Sequence, residues 1–390
     1  MRAFTTSIVH EDPAVAGREV ALELREHLGG QPDLVLLFAT MTYEPAALLG
    51  ALRDNLAADV KVAGCSSCGE INSEEGLSGS VTAMGLRLDR VEVELFKVDA
   101  LGEDQVAAGR ELGRELAAFK PDLLMLFPDG VRSNPPHIIR GIQEVTGDGY
   151  PIIGGAAGEP VHEQLRTLQY IGDQALSGGL VAVALRGPLA LSTATGTGFQ
   201  AIGKQRVCTK VEDEKIILEI DGKPAIDVYT ELLGEEILDN PIAGVIYPLA
   251  VSTRRASTYG ESEQQRVVIR VVQEFDRERG ALKCGGDVSE GTIVRVARAA
   301  KEDLIAGAVA AIDEALERLP APALALFFNC AGRKIILGPR YYKDEIAAVY
   351  RRLGAELPKV GFYTYGEVAP IDGRVRYHNE TFTVALLGEA

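Results

Sequence analysis

Two thiols, two hydroxyls and a carboxylate fall within one short stretch of this chain, Gly64-Cys65-Ser66-Ser67-Cys68-Gly69-Glu70-Ile71. Cys65-x-x-Cys68 has the spacing of a dithiol redox pair or of half a zinc site. The sequence holds no second Cys-x-x-Cys and no His-x-x-His, so no metal and no other cofactor is expected. Ser66 and Ser67 carry hydroxyls, but Gly-Cys-Ser-Ser-Cys-Gly is not the Gly-x-Ser-x-Gly elbow of a serine hydrolase. The stretch recurs as Gly361-Phe362-Tyr363-Thr364-Tyr365-Gly366-Glu367-Val368, and one residue shorter as Gly154-Gly155-Ala156-Ala157-Gly158-Glu159. Glycine permits positive φ or the close approach of a ligand. Each copy is therefore read as a turn that presents a carboxylate, with a solvated glutamate on a tight turn as the competing reading. Phe362 and Tyr365 stand where the first copy has its cysteines, so those positions accept large side chains and are read as pocket lining.

A second constellation, Asn329-Cys330-Ala331-Gly332-Arg333, ends another apolar run. A guanidinium there suits bidentate capture of a carboxylate; a structural ion pair is the alternative. Cys330 is either an inert core thiol or, like Cys65, the nucleophile of a hydrolase or transferase, a role for which the sequence offers no convincing base. His378-Asn379-Glu380-Thr381 reads as a polar turn before the last strand.

The elements that must position these groups repeat as well. Pro32-Asp33-Leu34-Val35-Leu36-Leu37-Phe38, Pro121 to Phe127 and Pro322 to Phe328 share the pattern Pro-x-Leu-x-(Leu/Met)-x-Phe, and Ala108-Gly109-Arg110-Glu111 repeats Ala16-Gly17-Arg18-Glu19. Each apolar run reads as a buried strand, with helices expected over 13–28, 44–57, 135–146, 302–319 and 343–353. Strand, helix, strand is a right-handed crossover with parallel strands. Ligands in such sheets bind beyond the carboxyl ends of the strands. One edge thus gathers the predicted ligand-binding set: Cys65, Ser66, Ser67, Glu70, Gly155, Asn329, Cys330, Arg333, Tyr363, Tyr365 and Glu367. Cys330, Arg333 and Glu367 are expected to line one pocket together with residues of the turn 64–70, where a guanidinium and a carboxylate complement the two ends of a zwitterion. The fold class is mixed α/β: three pseudo-repeated βαβ-containing lobes with added antiparallel strands. The third repeat is expected to start near Ile293. Residues 188–290 read as hairpins with turns at Asp221-Gly222, Tyr259-Gly260 and Arg279-Gly280, and as a helix near 224–233 with Pro224 in its first turn.

A chain of 390 residues predicts two or three domains, and 46% apolar with 25% charged residues is a globular balance. The formal charge of −16 repels phosphate backbones and anionic membranes, so no nucleic acid and no membrane is expected as a partner. Five scattered cysteines suit a reducing compartment. The N-terminus lacks the apolar core of a signal peptide and no apolar run reaches membrane-spanning length, so the expected location is the cytoplasm.

Taken in order, these motifs resemble the FIST family, a sensory module of an N-terminal and a C-terminal part. The resemblance rests on Gly64 to Ile71, Ile153 to Ala157, Gly198-Phe199 with Gly203, Asp221 to Ala225 with Val228-Tyr229, Tyr247-Pro248-Leu249, Asn329 to Arg333, Gly361 to Pro370 and Asn379-Glu380-Thr381. It implies a FIST N-terminal domain over 1–215, with two pseudo-repeats, and a FIST C-terminal domain over 216–390. It also implies a small-molecule sensor, its ligand an amino acid or similar small zwitterion, signalling through a partner protein or an oligomer. A cysteine-dependent enzyme using Cys330 or Cys65 is the rival reading.

Overall fold

The computed structural model describes residues 1–160, 165–252, 268–371 and 373–390. The turn expected at Tyr259-Gly260 and the start of the strand expected from Arg266 lie outside them. The chain is mixed α/β. Its three Pro-initiated apolar runs form the strands Leu34–Ala39, Leu123–Pro128 and Leu324–Cys330. Each is buried on both faces, which is why the runs are continuous rather than alternating. Leu34, Leu36 and Phe38 point to a central core and Val35, Leu37 and Ala39 to a helical layer; Leu123, Met125 and Phe127 alternate likewise with Leu124 and Leu126.

The three sheets share one strand order. Each central strand pairs in parallel with Lys61–Ser66, Ile152–Gly155 or Lys359–Thr364, and on its other side antiparallel with Val81–Arg87, Leu180–Arg186 or Phe382–Glu389. The outermost strands are Arg2–Ile8, Glu92–Val98 and Leu189–Gly196. Registers coincide: Leu37, Leu126 and Phe327 lie opposite Gly64, Gly154 and Gly361, and Phe38, Phe127 and Phe328 lie opposite Thr82, Val181 and Thr383. The three phenylalanines and Phe362 meet where the inner faces converge, with ring centroids 5.7 Å apart for Phe38–Phe127, 4.4 Å for Phe38–Phe362 and 6.0 Å for Phe328–Phe362.

After each strand-end turn the chain crosses into a neighbouring sheet. Glu70–Ile71 pairs with Lys359–Thr364, Glu367–Ile371 with Ile152–Gly155, and Gln169–Ile171 with Lys61–Ser66. No sheet is complete without a segment from another. Helices cover the outer faces in pairs: Pro13–Leu28 with Pro45–Asp54, Gln105–Phe119 with Pro135–Thr146, and Lys301–Arg318 with Ala331–Leu353. The repeated Ala-Gly-Arg-Glu has a packing cause. A Cβ at Gly17 would lie 2.2 Å from Leu48 O, and one at Gly109 2.2 Å from Ile138 O, so only glycine lets these helices touch.

The described residues between Gln200 and Arg298 build a fourth sheet of hairpins. Here three expectations are corrected. Leu189–Gly196 is not part of the hairpin region; it pairs along its whole length with Phe382–Glu389 and is the edge strand of the third sheet. The third unit therefore starts at Leu189 rather than near Ile293, and the hairpin sheet, which includes Ile293–Arg298, is inserted between its first strand and its first helix. Pro224 sits in a short strand, with the helix beginning at Asp227. Asn329 to Arg333 spans the junction of two elements: the strand ends at Cys330 and the helix begins at Ala331, kinked at Gly338-Pro339.

Candidate functional site

The carboxyl edge of the third sheet holds a buried polar centre. Glu367 is fully buried and accepts hydrogen bonds from Thr364 Oγ1, from Thr381 Oγ1 at 2.6 Å and from the Thr381 amide at 3.3 Å. Burial outweighs these donors and pushes its carboxyl up to about 8. Gly155 lies opposite it in register, and a Cβ there would meet Thr364 Cγ2 at 2.5 Å, so glycine is what lets the second sheet close on this centre.

Cys330 ends the central strand, where the backbone N–H groups of Glu380 and Gly332 favour its thiolate form. Burial nevertheless holds the thiol well above its usual range, the opposite of an activated nucleophile. Cys65 is in the same position for the same reason, sealed in the central core.

Arg333 lies in the first turn of the helix and is fully buried. Its guanidinium pairs with Glu345 from beyond the helix kink and donates to Thr197 O, to Leu304 O at 2.8 Å and to Glu380 O at 3.5 Å. Asn329 Nδ2 holds the other oxygen of Glu345 at 2.7 Å. Arg333 thus carries a structural ion pair, while its Nε is buried without a hydrogen-bond partner.

Glu380, read from sequence only as part of a polar turn, has the least ordinary surroundings. It is fully buried, its two carboxyl oxygens have no hydrogen-bond partner, and its backbone is left-handed with φ 56°. Left-handed backbone costs a β-carbon residue about 1–3 kcal/mol and persists where the surroundings impose it. Strand register identifies the equivalents of Glu380 as Gly79 and Gly178, with φ 78° and 77°. Burial lifts the Glu380 carboxyl to about 8, against the pull of Arg333 and with the push of Glu367. The side chain lies against the helix start, where a Cβ on Gly332 would fall 1.8 Å from its Oε1.

The other expected residues are placed as follows. Glu70 is fully buried and satisfied by Ser67 Oγ, Ser80 Oγ at 2.7 Å and the Ser80 amide at 3.1 Å; burial raises its carboxyl. Ser66 Oγ donates to Gly158 O at 2.8 Å and accepts from Leu168 N at 3.0 Å, a tie between the first and second sheets. Tyr363 faces the outer layer, its ring beneath Lys334 Nζ at 4.6 Å. Tyr365 is half-buried; its hydroxyl and Cys68 Sγ both reach Glu159 O at 3.1 Å. Thus Gly155, Asn329, Cys330, Arg333 and Glu367 gather at the third sheet's edge, whereas Cys65 is sealed in the central core, Ser66 ties the first two sheets, and Ser67 and Glu70 form a separate cluster with Ser80.

Register also moves one assignment. Opposite Cys65, where Glu70 and Glu367 stand relative to Phe362 and Gly155, the second unit has Gln169 rather than Glu159. Gln169 Oε1 accepts from the Gly179 amide at 3.3 Å, as the two glutamates accept from Ser80 and Thr381. The glycine before each closing strand was the sequence signal for Glu380, since two of the three equivalent positions are glycine.

The family model of the FIST N domain matches residues 33–223 and that of the FIST C domain residues 225–370. An uncharacterised protein of Mycobacterium tuberculosis (strain H37Rv) is 27% identical over 391 residues, covering 95% of each chain. An uncharacterised protein of Mycobacterium bovis is 24% identical over 387 residues, covering 96% of each. Among solved structures, a cyanuric acid hydrolase from A. caulinodans aligns over 100% of this chain and 99% of its own, at 9% identity and a TM-score of 0.37.

Proposed function

Because the chain belongs to the FIST family, whose domains are in general sensory, small-ligand-binding modules of signalling proteins, we propose that it is a small-molecule sensor whose ligand is read at the third sheet's edge. The ligand is an amino acid or a similar small zwitterion. Its ammonium group docks on Glu380, whose raised carboxyl releases its proton to solvent as the cation arrives, and its carboxylate takes the unused Nε of Arg333. The observation that carries this reading is Glu380: a buried, unpartnered carboxyl on strained backbone, where two equivalent positions carry glycine. A side chain kept there at such a cost stabilises something other than the fold.

Cys330 and Thr381 retain a trace of exposure, 4% each, and the ligand would enter from their side. The output passes to a partner protein or a second copy, in the cytoplasm; no helix among the described residues is long and apolar enough to cross a membrane.

Calorimetric titration of the purified chain with the free amino acids, and with amines and carboxylates that carry only one of the two charges, tests the reading. A zwitterion should bind, single-charge analogues should bind weakly, and Glu380→Gln should weaken binding by about ten- to hundredfold, the worth of one charge-assisted hydrogen bond. Zwitterion binding undiminished in Glu380→Gln, or no binding by any of these compounds, would refute it.

A further inference from the structure

Away from this centre, three donors from three elements converge between the second helical layer and the hairpin sheet. His137 lies in the first turn of the helix Pro135–Thr146, Glu214 at the tip between strands Arg206–Glu212 and Ile216–Ile220, and Asp287 in the loop after strand Ala281–Cys284. One ligand atom of each lies within 4.8 Å of the others, and His137 Nε2 is 2.8 Å from Glu214 Oε2. Asp287 Oδ1 is buried and has no hydrogen-bond partner.

The backbones that carry these donors are tied together. The Val288 amide donates to Glu214 O at 2.6 Å and the Cys284 amide to Lys215 O at 2.9 Å, so the hairpin tip and the Asp287 loop move as one. The Arg270 guanidinium, the cation nearest the loop on that side, is spent on the carbonyls of Ile269, Tyr377 and Asp287. On the other side Arg140 Nη2 contacts Glu214 Oε2 at 3.2 Å from a side chain that is 45% exposed, and can swing away at small cost.

We propose that His137, Glu214 and Asp287 bind a divalent cation of the zinc class. One imidazole nitrogen and two carboxylate oxygens form a three-ligand zinc set that leaves a fourth position for water, whereas calcium and magnesium call for shells made of oxygen. Donors around tetrahedral zinc stand roughly 3.4 Å apart, so the imidazole and Glu214 must part slightly and Asp287 close in. The ion would clamp the hairpin sheet to the second helical layer, joining segments that no hydrophobic cluster among the described residues joins. The sequence hid the site because its donors lie far apart along the chain and in no spaced motif.

The full chain, stripped with a chelator and titrated with zinc chloride in a calorimeter, should take up one ion and melt at a higher temperature. Cobalt chloride should give the visible absorption of a tetrahedral nitrogen–oxygen site. His137→Gln and Glu214→Gln, both at the protein surface, should each lose at least about tenfold in affinity with unchanged metal-free melting, and Arg140→Ala should bind at least as tightly as the parent. Failure to take up zinc overturns the proposal, as does uptake that survives His137→Gln and Glu214→Gln, which would point to the thiols instead.

Discussion

Around Glu70 the carboxyl is held by Ser67 Oγ, Ser80 Oγ and the Ser80 amide; around Glu367 the same three places are taken by Thr364 Oγ1, Thr381 Oγ1 and the Thr381 amide. The next hydroxyl matches too, with Ser80 Oγ 3.2 Å from Thr82 Oγ1 and Thr381 Oγ1 3.3 Å from Thr383 Oγ1. Even the residue five beyond Phe38 and Phe328 makes the same contact, since Tyr43 OH donates to Gly79 O at 3.2 Å and Arg333 Nη1 to Glu380 O at 3.5 Å. Against that common plan the third sheet departs at three points, with Cys330 for Thr40, Arg333 for Tyr43 and Glu380 for Gly79. The shared contacts are what any such strand crossing needs to bury a carboxyl. The departures add charge, a thiol and backbone strain that the first sheet does without, and are why the proposed site is placed at this edge of a repeated framework.

The largest effect expected from breaking this contrast is on stability. Arg333→Ala strands Glu345, fully buried, with only Asn329 for company. Removing one partner of a buried pair costs about 3–5 kcal/mol, so urea unfolding should show a loss of that order. A loss below about 1 kcal/mol would mean the pair is not a structural element.

Glu380→Gly restores at the third sheet what the first two have. It should raise stability by about 1–3 kcal/mol by relieving the left-handed backbone, while abolishing zwitterion binding in calorimetry. A variant that is both less stable and still binds would erase the distinction between the two edges.

The same variant sharpens the pH dependence. Glu367 and Glu380 titrate near 8 in the folded chain, above the ordinary 4.5. Between those values the folded state keeps protons that the unfolded state has released, so the two groups' contribution to stability is fully present below about 4.5 and is lost as pH rises towards about 8, by about 1.4 kcal/mol per pH unit per group. Denaturation midpoints measured across that window should fall less steeply in Glu380→Gly than in the parent. Equal slopes would show that Glu380 is ionised throughout.

The sequence showed the framework better than its finish. The Pro-initiated runs, the strand-end glycines and the helix at 135–146 could be read because each depends on neighbours within a few residues: alternation on two buried faces, and the turn that follows. Leu189–Gly196 could not be placed, because its hydrogen-bond partner is the last strand of the chain and the hairpin sheet intervenes before its own helix. The Arg333–Glu345 pair was hidden by Gly338-Pro339, which reads as the end of a helix but is only a kink. Gln169 was masked by the segment that separates it from Gly158. Glu380 escaped notice because its strain lies in backbone geometry, visible only when its register is set beside Gly79 and Gly178.

The smallest expected effect separates framework from function most directly. Ser80→Ala removes the hydroxyl donor to Glu70 but leaves the Ser80 amide and Ser67 in place. Thr381→Val removes the equivalent donor to Glu367 and keeps the side chain's shape. Each should cost about 1 kcal/mol in urea unfolding, the net worth of one hydrogen bond, because both carboxyls face the same local loss. Binding should tell them apart. In Ser80→Ala the zwitterion's affinity should stay at the parent value, since Glu70 closes only its own strand crossing. In Thr381→Val the loosened Glu367 carboxyl lies beside Arg333 and Glu380, and affinity should fall about threefold or more. Equal losses of affinity in the two variants would place the ligand between the first and third sheets rather than at the third sheet's edge.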